Sequence, residues 1–228
     1  MSAGLLRLLH LADTTLPIGG YAHSAGLETF VQQGMVYDAA SAKNFVTEML
    51  CQNLRYTDAS FVSLVFDAAQ ILDFETILYL DLECSAVKLP LEIRQASQKL
   101  GSRLIKIFQP FCTDKIADKY REAVLAKKAT GHYCIVFALY AVALGIHKKE
   151  ALTGFFYNAA VGFVTNCVKL IPLGQQDGQQ ILFDLLPTIE NLVEKSLNPD
   201  KDLIGLCCAG FDISSMQHEQ LYSRLFMS

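Results

Sequence analysis

The sequence has no tryptophan, and only 18% of its 228 residues are charged. A hydrophobic share of 52% against so little charge leaves apolar surface to be covered by large internal helices, by self-association or by a stable partner. Basic clusters are scarce as well. Lys127-Lys128 and His147-Lys148-Lys149 are the only dense ones. With a net charge of -4, they exclude a sequence-independent nucleic-acid binder, whose phosphate contacts need a basic surface. Both groups are expected to be solvated helix ends, since cations are favourable near a helix C-terminus.

The motifs of common enzymes are missing too: there is no GxxxxGK[ST] loop, no GxGxxG fingerprint, no HExxH and no CxxC. Seven scattered cysteines, an odd number, are expected to be reduced core residues of a cytosolic protein. The N-terminus lacks the basic region, the long apolar run and the small-residue cleavage site of a secretory signal. Cys134 to Ile146 is apolar but too short to cross a bilayer, which takes about 20 residues. Ala151 to Leu173 is long enough, yet it contains Asn158, Asn166 and Lys169. Both segments are therefore expected to be buried helices, with no membrane association. Neither strand-period alternation nor an internal repeat is visible.

What is present is helical. Pro17, Pro90, Pro110, Pro172 and Pro199 fall between apolar-periodic segments, and Pro187 is expected to mark a short break. Val46, Leu50, Leu54, Phe61 and Val65 predict one long amphipathic helix over 41–70 behind a Ser41 cap. Ile93, Leu100, Leu104 and Ile107 give a second stripe, and Ile116, Tyr120 and Val124 a third. Tyr133 to Ile146 is apolar all round and Ala151 to Leu170 nearly so, the pattern of central bundle helices. Gln179 to Leu197 returns to amphipathic spacing. The expected fold is an all-α, single-domain bundle of roughly eight to ten helices over 1–228, with two central apolar helices.

Few residues suggest chemistry. Thr15 to Tyr21 is a glycine-rich loop, either a phosphate cradle or, as expected here, a tight turn. Five histidines and the adjacent Cys207-Cys208 offer metal ligands, but neighbouring cysteines do not chelate one structural ion. A transient nickel site of imidazole and thiolate across an interface stays open. Asp81 and Glu83 read as a solvated acidic face. Ser214, His218 and Glu219 make a triad only on paper, at a terminus with nothing to hold it. No catalytic, cofactor or resident metal residue is expected. The chain nevertheless ends with Met216, Leu221, Tyr222, Leu225 and Phe226 where a terminus is usually polar, so this tail docks onto its own domain or onto another protein.

Leu5-Leu6-Arg7-Leu8-Leu9-His10-Leu11-Ala12-Asp13, followed by Leu16-Pro17-Ile18-Gly19-Gly20-Tyr21-Ala22-His23-Ser24-Ala25-Gly26-Leu27-Glu28, resembles the opening of the urease accessory protein UreF family. The resemblance continues at Arg94 to Ser97, His132 to Phe137, Leu170 to Gln175 with Asp177 to Gln179, and through the C-terminus. It implies an all-helical, cytoplasmic homodimer that is not an enzyme. Such a protein binds UreD, called UreH in some organisms, and recruits the GTPase UreG, so that nickel is delivered to apo-urease under GTP control. The alternative is a carrier that binds nickel itself.

The family pattern implies partner contact within 212–228, at Ser215, Met216, His218, Glu219, Tyr222, Ser223, Arg224 and Phe226. Tyr222, Arg224 and Phe226 have the chemistry of interface anchors. A second contact surface is implied at Pro17, Gly19, Gly20, Tyr21 and Ser24, joined by Pro172, Leu173, Gly174 and Gln175. Gln217 and Met227 stand where relatives carry arginine, which removes two positive charges. Deleting 212–228 is expected to leave a folded helical dimer that no longer binds UreD or recruits UreG.

Overall fold

The computed structural model describes residues 2–206 and 208–227, without the side chains of Ser2, Ala3 and Tyr21. The described residues form eleven α-helices and no strand. α1 (Ser2–Leu11) leads through a one-turn 3-10 helix (Gly20–Ala22) to α2 (Leu27–Gln32). α3 (Ala39–Glu48), α4 (Asp58–Gln70), α5 (Phe74–Val87), α6 (Leu91–Phe108) and α7 (Lys115–Leu125) follow. α8 (Tyr133–Ala143), α9 (Lys148–Leu170), α10 (Gln175–Ser196) and α11 (Ala209–His218) complete the bundle.

α8 is the axis of the core. Cys134 through Ala141 are all buried, so no face of that stretch meets water. α4 and α6 pack on it, with α1, α7 and α9 also in contact. α9 lies against α10, α4, α3 and α1, and half of its apolar stretch is buried. By length and composition alone α9 could cross a membrane. Two of its polar residues face inward and serve the fold: Asn158 donates to the Ala12 carbonyl at 3.0 Å and Asn166 to that of His23 at 2.8 Å.

The single helix expected over 41–70 is two helices. α3 runs into a π-helical turn, Met49–Leu54, and the chain turns at Arg55, Tyr56 and Thr57 before α4 begins. Side chains stabilise this interruption: Thr57 Oγ1 donates to the Asn53 carbonyl and Ser60 Oγ to that of Arg55, both at 2.8 Å. The apolar periodicity continues across the turn because both pieces pack on the same core, which hides the break from the sequence pattern. The N-cap is Asp38 rather than Ser41; Asp38 Oδ1 accepts the Ser41 N–H at 2.8 Å, and Ser41 Oγ accepts the Asp38 N–H in return.

Pro187 likewise lies inside α10, not in a break. Leu182, Leu185, Ile189 and Leu192 are buried on either side of it, and that continuous apolar face offsets the missing N–H. His147-Lys148-Lys149 opens α9 rather than closing a helix. Cations are unfavourable there, and carboxylates from neighbouring helices compensate: Lys148 pairs with Asp67 at 2.7 Å and Lys149 with Glu194.

Asp81 is not on a solvated face. It is fully buried and accepts hydrogen bonds from Tyr120 Oη at 2.5 Å, the Thr130 N–H at 2.7 Å, Thr130 Oγ1 at 2.9 Å and the Gly131 N–H at 3.3 Å. This fixes the α7–α8 connection against α5. Gly101 is required at the same junction, because a Cβ there would lie 2.0 Å from the Gly131 carbonyl oxygen. The six described cysteines are free, three of them buried; Cys207 is outside the described residues.

Candidate partner-docking site

The C-terminal segment lies in a seat made by α2, α6 and the loop before α2. Gly26 gives α11 its close approach: its φ is +78°, and a Cβ would stand 2.7 Å from Ser215 Oγ. Thr29 Oγ1 donates to the Ser214 carbonyl at 2.9 Å, and Gln33 Nε2 to Gln217 Oε1 at the same distance.

Beyond α11 the chain folds back onto Glu28. This buried carboxylate accepts the Leu225 N–H at 2.8 Å and the Phe226 N–H at 3.2 Å. His218, with no exposed surface, stands between two carboxylates, its Nε2 3.2 Å from Glu28 Oε2 and its Nδ1 2.8 Å from Glu92 Oε2. Both ring nitrogens thus lie within hydrogen-bond distance of a carboxylate oxygen, which ties the end of α11 to α2 and α6 at once. Arg224 closes the cluster with a 2.8 Å bond to Glu92 Oε1. Phe226 is buried, with Lys169 Nζ 5.8 Å from its ring centroid, and the Met227 N–H donates to the Ala22 carbonyl at 2.8 Å.

The expected site residues therefore divide by face. Ser215, His218 and Phe226 point inward and hold the segment. Met216 is 43% exposed and Tyr222 fully exposed, with Ser223 and Arg224 also on the outside and Glu219 at the edge. Ile213, Leu225 and Met227, none of them among the expected contact residues, are also more than half exposed. Deleting 212–228 would thus strip α2 of its cover as well as removing the outer face.

The Pro17 to Ser24 loop meets this segment through Ala22. Arg103 donates to the Ile18 carbonyl at 2.9 Å and fills the space beside Gly19, so that glycine serves the turn. Pro17 and Gly20 are exposed, Ser24 is buried, and the Tyr21 side chain lies outside the described residues. Pro172 to Gln175 follows α9 just past Lys169; Pro172, Gly174 and Gln175 are exposed and Leu173 is half-buried. Ser24 Oγ and Ser215 Oγ are both buried without a hydrogen-bond partner.

A cavity of about 330 Å³ adjoins the seat, with Phe211 of α11 in its wall. Its polar lining includes His23, Asn158, Asn166 and the buried pair Asp58–Lys88, whose atoms are 2.6 Å apart. Burial disfavours the charge on His23, and Lys99 and Arg103 add to this, so its pKa is lowered. Burial opposes ionisation of Asp58, but the Lys88 charge and hydrogen bond outweigh it and hold the carboxyl below its usual range. His132 sits between Ser85 Oγ at 2.8 Å and Ser97 Oγ at 3.1 Å, and burial, helped by Lys88, takes its pKa from 6.5 to about 4. His218 pairs with Glu28 and Glu92 rather than with Ser214 and Glu219, so the terminal triad is not assembled. Among the described residues no group of three His, Cys, Asp or Glu is placed to hold a metal ion.

A sequence model of the UreF family matches residues 36–186. The chain is 51% identical to the urease accessory protein UreF of Actinobacillus pleuropneumoniae serotype 5b (strain L20), over 97% of both chains. The chain belongs to the UreF family. It is also 49% identical to the urease accessory protein UreF of Haemophilus influenzae (strain PittEE), over 97% of this chain and 94% of the relative. With that of Arthrobacter sp. (strain FB24) it shares 34% identity over 98% and 96%. All three of these UreF relatives are named as urease accessory proteins rather than as urease itself.

Proposed function

We propose that this chain is a cytoplasmic, homodimeric adaptor of urease maturation, without catalytic activity of its own, that bridges UreD/UreH and the GTPase UreG. In this role it regulates the GTP-dependent insertion of nickel into apo-urease, with the nickel as cargo of the assembly. The observation that supports it is a terminal segment locked on its inner face and bare on its outer one. Ile213 (55% exposed), Tyr222 (fully exposed), Leu225 (66%) and Met227 (59%) present most of their apolar surface to solvent. Exposed aromatic and aliphatic residues on a preorganised segment bind with little ordering cost.

Regulation follows by linkage: binding UreG better in one nucleotide state shifts its population toward that state and changes nucleotide affinity by the same factor. The alternative, a carrier that holds nickel itself, has no supporting cluster among the described residues. The test is complex formation with UreD and UreG, followed by size-exclusion chromatography with light scattering. Tyr222→Ala with Leu225→Ala removes mostly exposed surface and keeps the Leu225 N–H bond to Glu28, so the variant keeps its fold and loses the complex. A complex of unchanged affinity would remove the tail from the interface.

A further inference from the structure

A second surface shares no residue with the C-terminal segment. A groove of about 870 Å³ runs along the end of α4 and the outer side of α5, bounded by the chain at 198–204. Its rim is unusually apolar: Ile71 is 76% exposed and Tyr79 63%. Next to Ile71, Leu72 has a φ of +57°, a left-handed conformation that disfavours a branched side chain. The turn is closed by the Leu72 N–H to the Ala69 carbonyl at 3.1 Å and the Asp73 N–H to that of Ala68 at 2.9 Å. The left-handed residue thus closes the end of α4 and leaves Ile71 in solvent beside the groove.

The lining has Asp67, Asp73 and Glu83 against the single cation Lys201. Asp67 is paired with Lys148, whereas Glu83 forms no ion pair among the described residues. The groove is therefore apolar with an acidic edge. A second copy meeting through this same face would bring Glu83 and Asp73 toward their own counterparts, which is unfavourable in a two-fold interface.

We infer that this groove docks a basic amphipathic segment of another protein, its apolar side chains against Ile71 and Tyr79 and its lysines or arginines against Glu83 and Asp73. The probes are two labelled helical peptides of equal length and leucine content, one with lysine and one with glutamate on the polar face, titrated into the full chain by fluorescence anisotropy. The lysine peptide binds and the glutamate peptide does not. Tyr79→Ala and Glu83→Lys each weaken binding by about tenfold or more, whereas Glu190→Lys on exposed α10 leaves it unchanged.

Tyr79 and Glu83 lie on the outer side of α5, and unchanged helical circular dichroism shows that the variants fold. Equal affinity for the two peptides, or equal effects of Glu83→Lys and Glu190→Lys, overturns the inference. So does concentration-dependent self-association lost in Tyr79→Ala, which would assign the groove to a second copy.

Discussion

Glu28→Gln is the most incisive single change, because it keeps the volume of a side chain whose two oxygens hold the tail. The carboxylate accepts the N–H groups of Leu225 and Phe226 and faces His218 Nε2. A hydrogen bond to a charged group contributes about 1.5–3 kcal/mol. Glutamine keeps one accepting oxygen and places an NH2 donor against the other partner. Loss of the charge and of at least one bond therefore costs about 3 kcal/mol, or roughly 100-fold in the ordered fraction of the tail.

The freed N–H groups can reach water when the tail lifts, so the cost shows as local release rather than global unfolding. Amide hydrogen exchange should report about 100-fold less protection at Leu225 and Phe226, with the α8 amides from Phe137 to Tyr140 unchanged. Unaltered protection at the tail would refute the assignment of Glu28 as its anchor. Equal loss across α8 would refute the idea that the tail is a separable unit.

Other consequences are simpler to measure. Ser215→Ala removes a buried hydroxyl that has no partner and should stabilise the chain by about 1 kcal/mol, raising the thermal midpoint by about 2–4 °C; a lower midpoint would mean that the hydroxyl is satisfied after all. His132 is held neutral, with a pKa near 4 against 6.5 in the open chain. Because the unfolded state takes the proton first, its contribution to stability is complete above pH 6.5 and is lost as pH falls through about 4. The slope of thermal midpoint against pH over that range should flatten in His132→Gln, and an unchanged slope would contradict the assignment.

The helical class was legible because apolar residues recur at helical spacing in nearly every segment. α8 was readable as the core from its unbroken apolar run between Tyr133 and Ile146. The π-helical turn at Met49–Leu54 and the passage of α10 through Pro187 were not. In both, tertiary packing keeps the periodicity while the backbone departs from what local propensity favours. Asp81 was misplaced for a related reason: its partners Tyr120 and Thr130 are far along the chain, and nothing in its neighbourhood marks it as enclosed.

At the C-terminus the apolar composition marked a segment that packs, through its inner face, on its own domain, but could not divide the residues by face. Glu28 and Glu92, which determine that division, sit in unrelated parts of the sequence. No local pattern joins them to His218 and Arg224. The structure also changes the choice of perturbation, since removal of 212–228 would expose Glu28 and Thr29 together with the underside of α2. Point changes on the outer face separate docking from folding.

The decisive measurement is light scattering during size-exclusion chromatography of the full chain, alone and mixed with UreD and UreG, compared with the Tyr222→Ala, Leu225→Ala variant. A complex formed by the native chain and lost in a variant that keeps its helical signal and its own oligomeric mass is the predicted result. A complex that forms equally well without those two side chains would contradict docking through the exposed face of the tail.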